Sequence, residues 1–238
     1  MYILLFIFFH WYFSLFFQTF FLHRYASHNM FKMNMFWEKV FFFFTFIFQG
    51  SSFLNPAAYA IMHRRHHSFT DTEKDPHSPL FIKNIILFNI ATAKRYRELV
   101  EKINQGRIKE KNLPRWPFLE KLGESLLIRA LFILIYFSFY YSFTTASWQY
   151  IFLPLNIFMG PLHGFIVNWF GHKTGYRNFP ELEDNSKNSL PIDFLMMGEL
   201  YQNNHHKKPN DINFAKRLFE VDFGFLISEL FKKMRIIY

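Results

Sequence analysis

The chain has 238 residues, enough for one domain of ordinary size, and 51% of them are hydrophobic, with 36 Phe. It contains no cysteine, which excludes disulfides, thiolate zinc sites, iron–sulfur clusters and a fused rubredoxin module, so a metal would have to be held by His, carboxylate or amide groups. The formal net charge is +9, which admits nucleic acid, anionic lipid or an acidic partner until the charges are placed. Mean hydropathy is nevertheless +0.00, so the apolar mass must be segregated from a polar part, as in a membrane protein with a large water-facing portion.

In chain order, residues 2–22 come first and carry no charge. They are long enough to span a bilayer, and they lack the basic start and small-residue cleavage site of a signal peptide. Residues 40–62 begin as "VFFFFTFIF" but are interrupted by "QGSSFLNPAA", where Gly50 and Pro56 disfavour a continuous helix. Residues 125–143 and 148–170 are two further apolar stretches joined by "TTAS", which predicts an antiparallel hairpin of spans. The blocks 63–124 and 171–238 carry 13 and ten of the 27 Lys and Arg, and the hairpin loop 144–147 carries none. The positive-inside rule puts both blocks in the cytoplasm and explains the basic charge without nucleic acid. Within the first block, "ATAKRYRELVEKINQGRIKEKNL" repeats Tyr96, Leu99, Val100 and Ile103 at helical spacing, which predicts an amphipathic helix packed on its neighbours. The expected fold is a single all-α membrane domain with a helical cytoplasmic cap.

Eleven histidines are present, and most are grouped. His23 and His28 sit in "HRYASH", His63, His66 and His67 in "HRRHH", and His205 and His206 in "QNNHH". His172 ends "NWFGH", four residues after Asn168. On a helix His63 shares a face with its i+3 and i+4 neighbours, while adjacent His66 and His67 diverge by about 100°. One helix can therefore give one ligand to each of two nearby ions. His23 and His28 differ by roughly 140° on an α-helix and would flank such a pair. Eight imidazoles from four segments suit two ions with about four each, and neutral imidazole favours iron, zinc or copper. His10 and His163 read as polar interface residues with no ligand role, and His77 in "DPHSP" as a turn residue or an outer partner of a ligand.

The two ions must lie close together, so all four groups need one side of the membrane. Only 34 residues separate His28 from His63, whereas two crossings need about 40. Residues 40–62 are therefore expected to be re-entrant or membrane-embedded, broken near "QGSSFLNP".

The motifs "HRYASH", "HRRHH", "NWFGH" and "GELYQNNHH", with the flanks "HSFTDTEKDPHSP" and "HKTGYRNF", resemble the histidine boxes of membrane acyl-CoA desaturases of the stearoyl-CoA (Δ9) type. The resemblance runs from about residue 20 to about residue 225. It implies an O2-dependent enzyme with two irons that introduces a cis Δ9 double bond into a saturated acyl chain carried on CoA. His23, His28, His63, His66, His67, His172, His205 and His206 would be the ligands, and Asn168 would hold a metal-bound water. Two departures stand out. The third box ordinarily begins with His, and Gln202 occupies that position, as a weak ligand or beside a water. The family ordinarily has a further helix ahead of the span that leads into the first box, and this chain begins too late to hold it, as a compact variant or an incomplete copy.

No "HPGG" is present, so electrons are expected from a separate ferredoxin or cytochrome b5, for which Lys207 and Lys208 offer a docking patch. The expected setting is a bacterial inner membrane with the site on the cytoplasmic side. Rival readings are a histidine-box lipid or alkane hydroxylase, a carotenoid oxygenase, a catalytically impaired metal-binding relative, and a metal transporter. A transporter would place its ligands near the bilayer midplane, which the positions of these boxes oppose.

Overall fold

The computed structural model describes residues 1–108, 110 and 112–238. The chain opens with helix α1 (Tyr2–Phe17), which runs without a break into a π-helical segment, Gln18–Ser27. Together they make a 26-residue helix, longer than the apolar run and apolar enough to cross a membrane. In the π segment the backbone bonds close from i to i+5, a geometry frequent at functional sites.

Helix α2 (Met35–Gln49) starts at Asn34, whose side chain accepts from Trp37 N at 3.0 Å. It ends in a 3₁₀ turn, Gly50–Ser52. Gly50 has φ +50°, and a Cβ there would strike the hydroxyl of Tyr136 on helix α6 (Leu126–Phe143), so both conformation and close approach require glycine. Helix α3 (Pro56–Phe69) then starts with Asn55 as cap, accepting from Ala57 N and Ala58 N, and Pro56 in the first turn. The pair α2–α3 is bent by 81° at this break, within "QGSSFLNP".

Helix α4 (Ile85–Asn104) packs Leu99 and Ile103, flanked by Tyr96 and Val100, on Ala57, Ala58, Ile61 and Met62 of α3. This matches the amphipathic reading; Lys109 and Lys111 of that stretch lie outside the described residues. The short helix α5 (Pro117–Glu124) leads into α6, of which only 11% is buried, leaving its apolar length facing outward.

Residues 148–170 do not form one straight helix. A 3₁₀ turn, Ser147–Phe152, and α7 (Leu153–Ile157) meet α8 (Met159–Phe170) at a 76° bend. Pro161 falls in the first turn of α8, where its missing N–H leaves no helical bond unmade. Among the described residues two helices can therefore cross a membrane by length and composition, or four if each bent pair counts as one span.

After α8 the chain runs through turns to α9 (Gln202–Lys207) and α10 (Phe223–Lys233). Among the described residues there are only isolated β-bridges and no strands, so the protein is all-α. The largest core joins Phe20, Phe21 and Leu22 of the π segment to Phe41, Phe42 and Phe46 of α2 and to Phe53. Beneath it Arg24 is fully buried, paired to Glu199 at 2.8 Å and to both oxygens of Asp222 at 2.9 and 2.8 Å, with Phe214 4.2 Å below the guanidinium. Asp222 also caps α10, so this cluster ties the C-terminal helix to the segment that carries the first histidines.

Candidate metal centre

All eight histidines converge. The π segment and its cap bring His23 and His28, α3 brings His63, His66 and His67, the turn after α8 brings His172, and α9 brings His205 and His206. They sort into two adjacent groups. His23, His28, His63, His67 and His205 form one, and His66, His172 and His206 the other, with potential ligand atoms in each within 4.8 Å of one another.

In the larger group four Nε2···Nε2 distances link all five rings: His28–His63 at 2.7 Å, His63–His67 at 3.0 Å, His67–His205 at 2.9 Å and His205–His23 at 3.1 Å. Donors at right angles around a cation about 2.1 Å away would stand about 3 Å apart. Neutral rings converging in this way direct lone pairs at one another, which a cation between them relieves. His205 favours that state, because burial and then the neighbouring His23 and His28 hold its pKa well below the ordinary value.

The smaller group has the outer partners that metal-bound histidines use. His66 Nδ1 donates to Asp75 at 2.9 Å, His172 Nδ1 to Asp71 at 3.0 Å and His206 Nδ1 to Asp184 at 2.9 Å. Each bond commits the proton to Nδ1 and leaves Nε2 as a lone pair. All three Nε2 atoms are buried with no hydrogen-bond partner among the described residues. Burial would raise Asp71, but the hydrogen bond from His172, with those from Asn185 and Ser78, outweighs it and brings its pKa down to about 2. In the larger group Glu199 Oε2 stands 2.6 Å from His23 Nδ1, off the line of a straight hydrogen bond. The donor set thus fits two cations that accept neutral imidazole.

A cavity of about 570 Å³ opens beside the larger group. His23, His63, Asn168 and Gln202 form its metal-side wall, and Leu15, Phe53, Leu54, Met62, Phe88 and Phe165 are among its apolar lining. The arrangement sets a histidine cluster able to hold metal ions against a largely apolar cavity.

The sequence model of the fatty acid desaturase family matches residues 1–214. The chain belongs to the fatty acid desaturase family. It is 27% identical over 219 residues to the "Delta-9 desaturase-like 4 protein" of Arabidopsis thaliana, covering 92% of this chain and 69% of that protein. Identity is 28% to the Arabidopsis "Delta-9 acyl-lipid desaturase 1", over 86% of this chain and 64% of the relative. It is 26% to the "Icosanoyl-CoA 5-desaturase" of Limnanthes douglasii, over 84% of this chain and 54% of the relative.

Several placements in this desaturase-family chain depart from expectation. The groups divide five and three, not four and four, because His23 and His28 face the same way. The reason is the π geometry: His28 N bonds His23 O at 3.2 Å, an i to i+5 bond that stacks residues five apart. The pairs His66/His67 and His205/His206 do split between the groups, as their 100° divergence requires.

His10 and His163 are interior residues, not interface ones. His10 Nε2 donates to Phe48 O at 2.9 Å, and its Nδ1 accepts from Asn156 at 2.8 Å. His77 is buried with its ring 4.7 Å from that of His66, and burial holds its pKa down at about 4. Gln202 Nε2 donates to Glu199 O at 2.6 Å, and Asn168 Nδ2 to Gly164 O at 2.7 Å, so each keeps its carbonyl oxygen free of these bonds. Lys207 is paired with Glu181 at 2.7 Å.

The residues that the sequence reading missed are the carboxylates Asp71, Asp75, Asp184 and Glu199. Their one signal was position: Asp71 and Asp75 lie in "TDTEKDP", which directly follows the second box, and Glu199 lies three residues before Gln202.

Proposed function

We propose that this protein is an O2-dependent fatty acyl desaturase that forms a cis Δ9 double bond in a saturated acyl chain carried on CoA, using two irons. The observation that carries the proposal is the convergence of eight imidazoles from four segments, with His23 and His63 of the larger group on the wall of a largely apolar cavity. An unactivated CH2–CH2 unit offers no acid, base or electrophile to work on. Two irons, given O2 and two electrons, would supply the oxidant that such a unit demands.

The protein's own contribution is ligation, orientation and exclusion. His23, His28, His63, His67 and His205 would hold one ion, and His66, His172 and His206 the other. Asp71, Asp75 and Asp184 fix the ring orientation of the second set. Asn168, with its carbonyl free beside the cavity, would hold a metal-bound water, and Gln202 would do the same or ligate weakly. The cavity walls would hold the chain so that one C–H pair faces the ions, and Phe53, Phe88 and Phe165 would keep water away.

In this reading all four histidine groups lie on the cytoplasmic side of a bacterial inner membrane. Residues 63–124 and 171–238 are cytoplasmic. α1 crosses once, α2 and α3 enter and return at the Gly50–Asn55 break, and α6 with α7–α8 forms the hairpin of crossings. The break is irregular backbone at membrane depth and is tolerable because Gly50, Ser51 and Ser52 are buried against protein. Electrons would arrive from a separate acidic ferredoxin or cytochrome b5 docking near Lys208.

The relatives' names differ in carrier and position, so the test is chemical. Purified protein loaded with iron, given a saturated acyl-CoA, reduced donor and O2, should return a product lighter by two hydrogens, with the double bond located by mass spectrometry. A product heavier by one oxygen would instead establish the hydroxylase reading.

A further inference from the structure

His163 is fully buried, and neither of its ring nitrogens has a hydrogen-bond partner among the described residues. It lines the cavity. Its nearest ring neighbour, Trp11, meets it edge-on at 4.6 Å and cannot serve it, because the indole N–H already donates to Leu195 O at 3.0 Å. His10 shows the contrast, with both nitrogens bonded. Thr92 Oγ1 is a second buried polar atom on the same cavity wall without a partner among the described residues. The Gln18 carboxamide lies 3.8 Å from where a side chain on Gly164 would begin, so the wall beside His163 is polar as well.

A buried polar group left unmade costs about 1–3 kcal/mol. A purely hydrocarbon occupant would leave His163 in that state. We infer that the cavity seats an acyl chain bearing an oxygen substituent, a hydroxyl group, with His163 as the residue that hydrogen-bonds it. The inference rests on the acyl-binding reading of the cavity and adds a substrate class to it. His163 precedes Asn168 by five residues on α8, about 7.5 Å of helix, so the seat is displaced from the metal-side wall and selects one position along the chain.

The test uses the full chain in detergent micelles and stearic acid as the parent probe, against hydroxystearic acids with the hydroxyl moved along the chain. Binding is read from tryptophan fluorescence and by competition with labelled stearate. One positional isomer should bind about tenfold tighter than stearate, the equivalent of about 1.4 kcal/mol. In His163→Leu that preference should vanish while stearate binds at least as tightly, and His163→Gln should keep part of it. Equal binding of every isomer and the parent to wild type overturns the inference, as does an undiminished preference in His163→Leu. Should the Leu variant not fold, the wild-type series decides alone. Absence of any acyl binding would overturn the acyl reading of the cavity itself, whereas binding without positional preference overturns only the role of His163.

Discussion

His66 Nδ1 lies 3.0 and 2.9 Å from the two carboxylate oxygens of Asp75, with both side chains buried. The carboxylate fixes the ring so that Nε2 faces His172 and His206. Asp75→Asn keeps the shape but offers an amide that also donates, so the ring loses its fixed tautomer. Metal affinity should fall about 10–100-fold in a folded protein, as it does when outer partners of ligands are lost. Competition with a chelator measures this. Loss as complete as that of His66→Ala would make Asp75 itself a ligand.

The five-and-three division predicts unequal responses to ligand loss. His206→Ala leaves His66 and His172, too few to retain an ion, so the protein should hold one iron per chain. His28→Ala leaves four imidazoles in the larger group, and both ions should remain, one more weakly bound. Elemental analysis of the purified variants gives the counts. Equal losses from the two variants would contradict the division.

Gln202 stands where the family's third box begins with His, and its amide nitrogen is committed to Glu199 O. Gln202→His offers a nitrogen in place of the free carbonyl. Iron occupancy of the isolated protein should hold or rise. A fall would show that the amide bond to Glu199 is needed to position α9 and its two histidines.

Asp193 accepts from Met196 N, Gly198 N and Leu200 N at 2.8–2.9 Å, holding the turn ahead of α9. Burial dominates those bonds and raises its pKa from 3.8 to about 6. The folded carboxyl therefore binds its proton more tightly than the unfolded one. Its contribution to stability is full below about pH 4 and is lost as the pH rises to about 6, by about 3 kcal/mol. Thermal melts should show the advantage of wild type over Asp193→Asn shrinking across that window. An advantage independent of pH would refute the assignment.

The histidine boxes were legible because each is local. On α3, the spacing of His63, His66 and His67 dictates which ring faces which group, and the 100° step separates His205 from His206 on α9. The break between α2 and α3 was written in Gly50 and Pro56. What sequence could not supply was register and distance. Nothing in "QTFFLHRYAS" announces i to i+5 bonding, and that alone turns His28 toward His23. The partners Asp71 and His172 are 101 residues apart, and Asp184 reaches His206 from a turn with no periodicity to read. His10 and His163 sit in apolar helices whose inward faces are set by neighbouring helices, so their own segments look uniform. The 76° bend at Phe158 was hidden in the same way, since Pro161 is as compatible with a helix start as with a kinked span.

The central claim is that the two histidine groups together remove two hydrogens from a saturated acyl chain. Its most direct test is expression in a host that lacks unsaturated fatty acids, followed by mass spectrometry of the host's lipids, with His66→Ala beside wild type. Wild type is predicted to yield chains with one cis double bond, placed at Δ9, and His66→Ala only saturated chains. Hydroxylated chains, exclusively saturated chains from an iron-loaded wild type, or equal unsaturation from both proteins would contradict it.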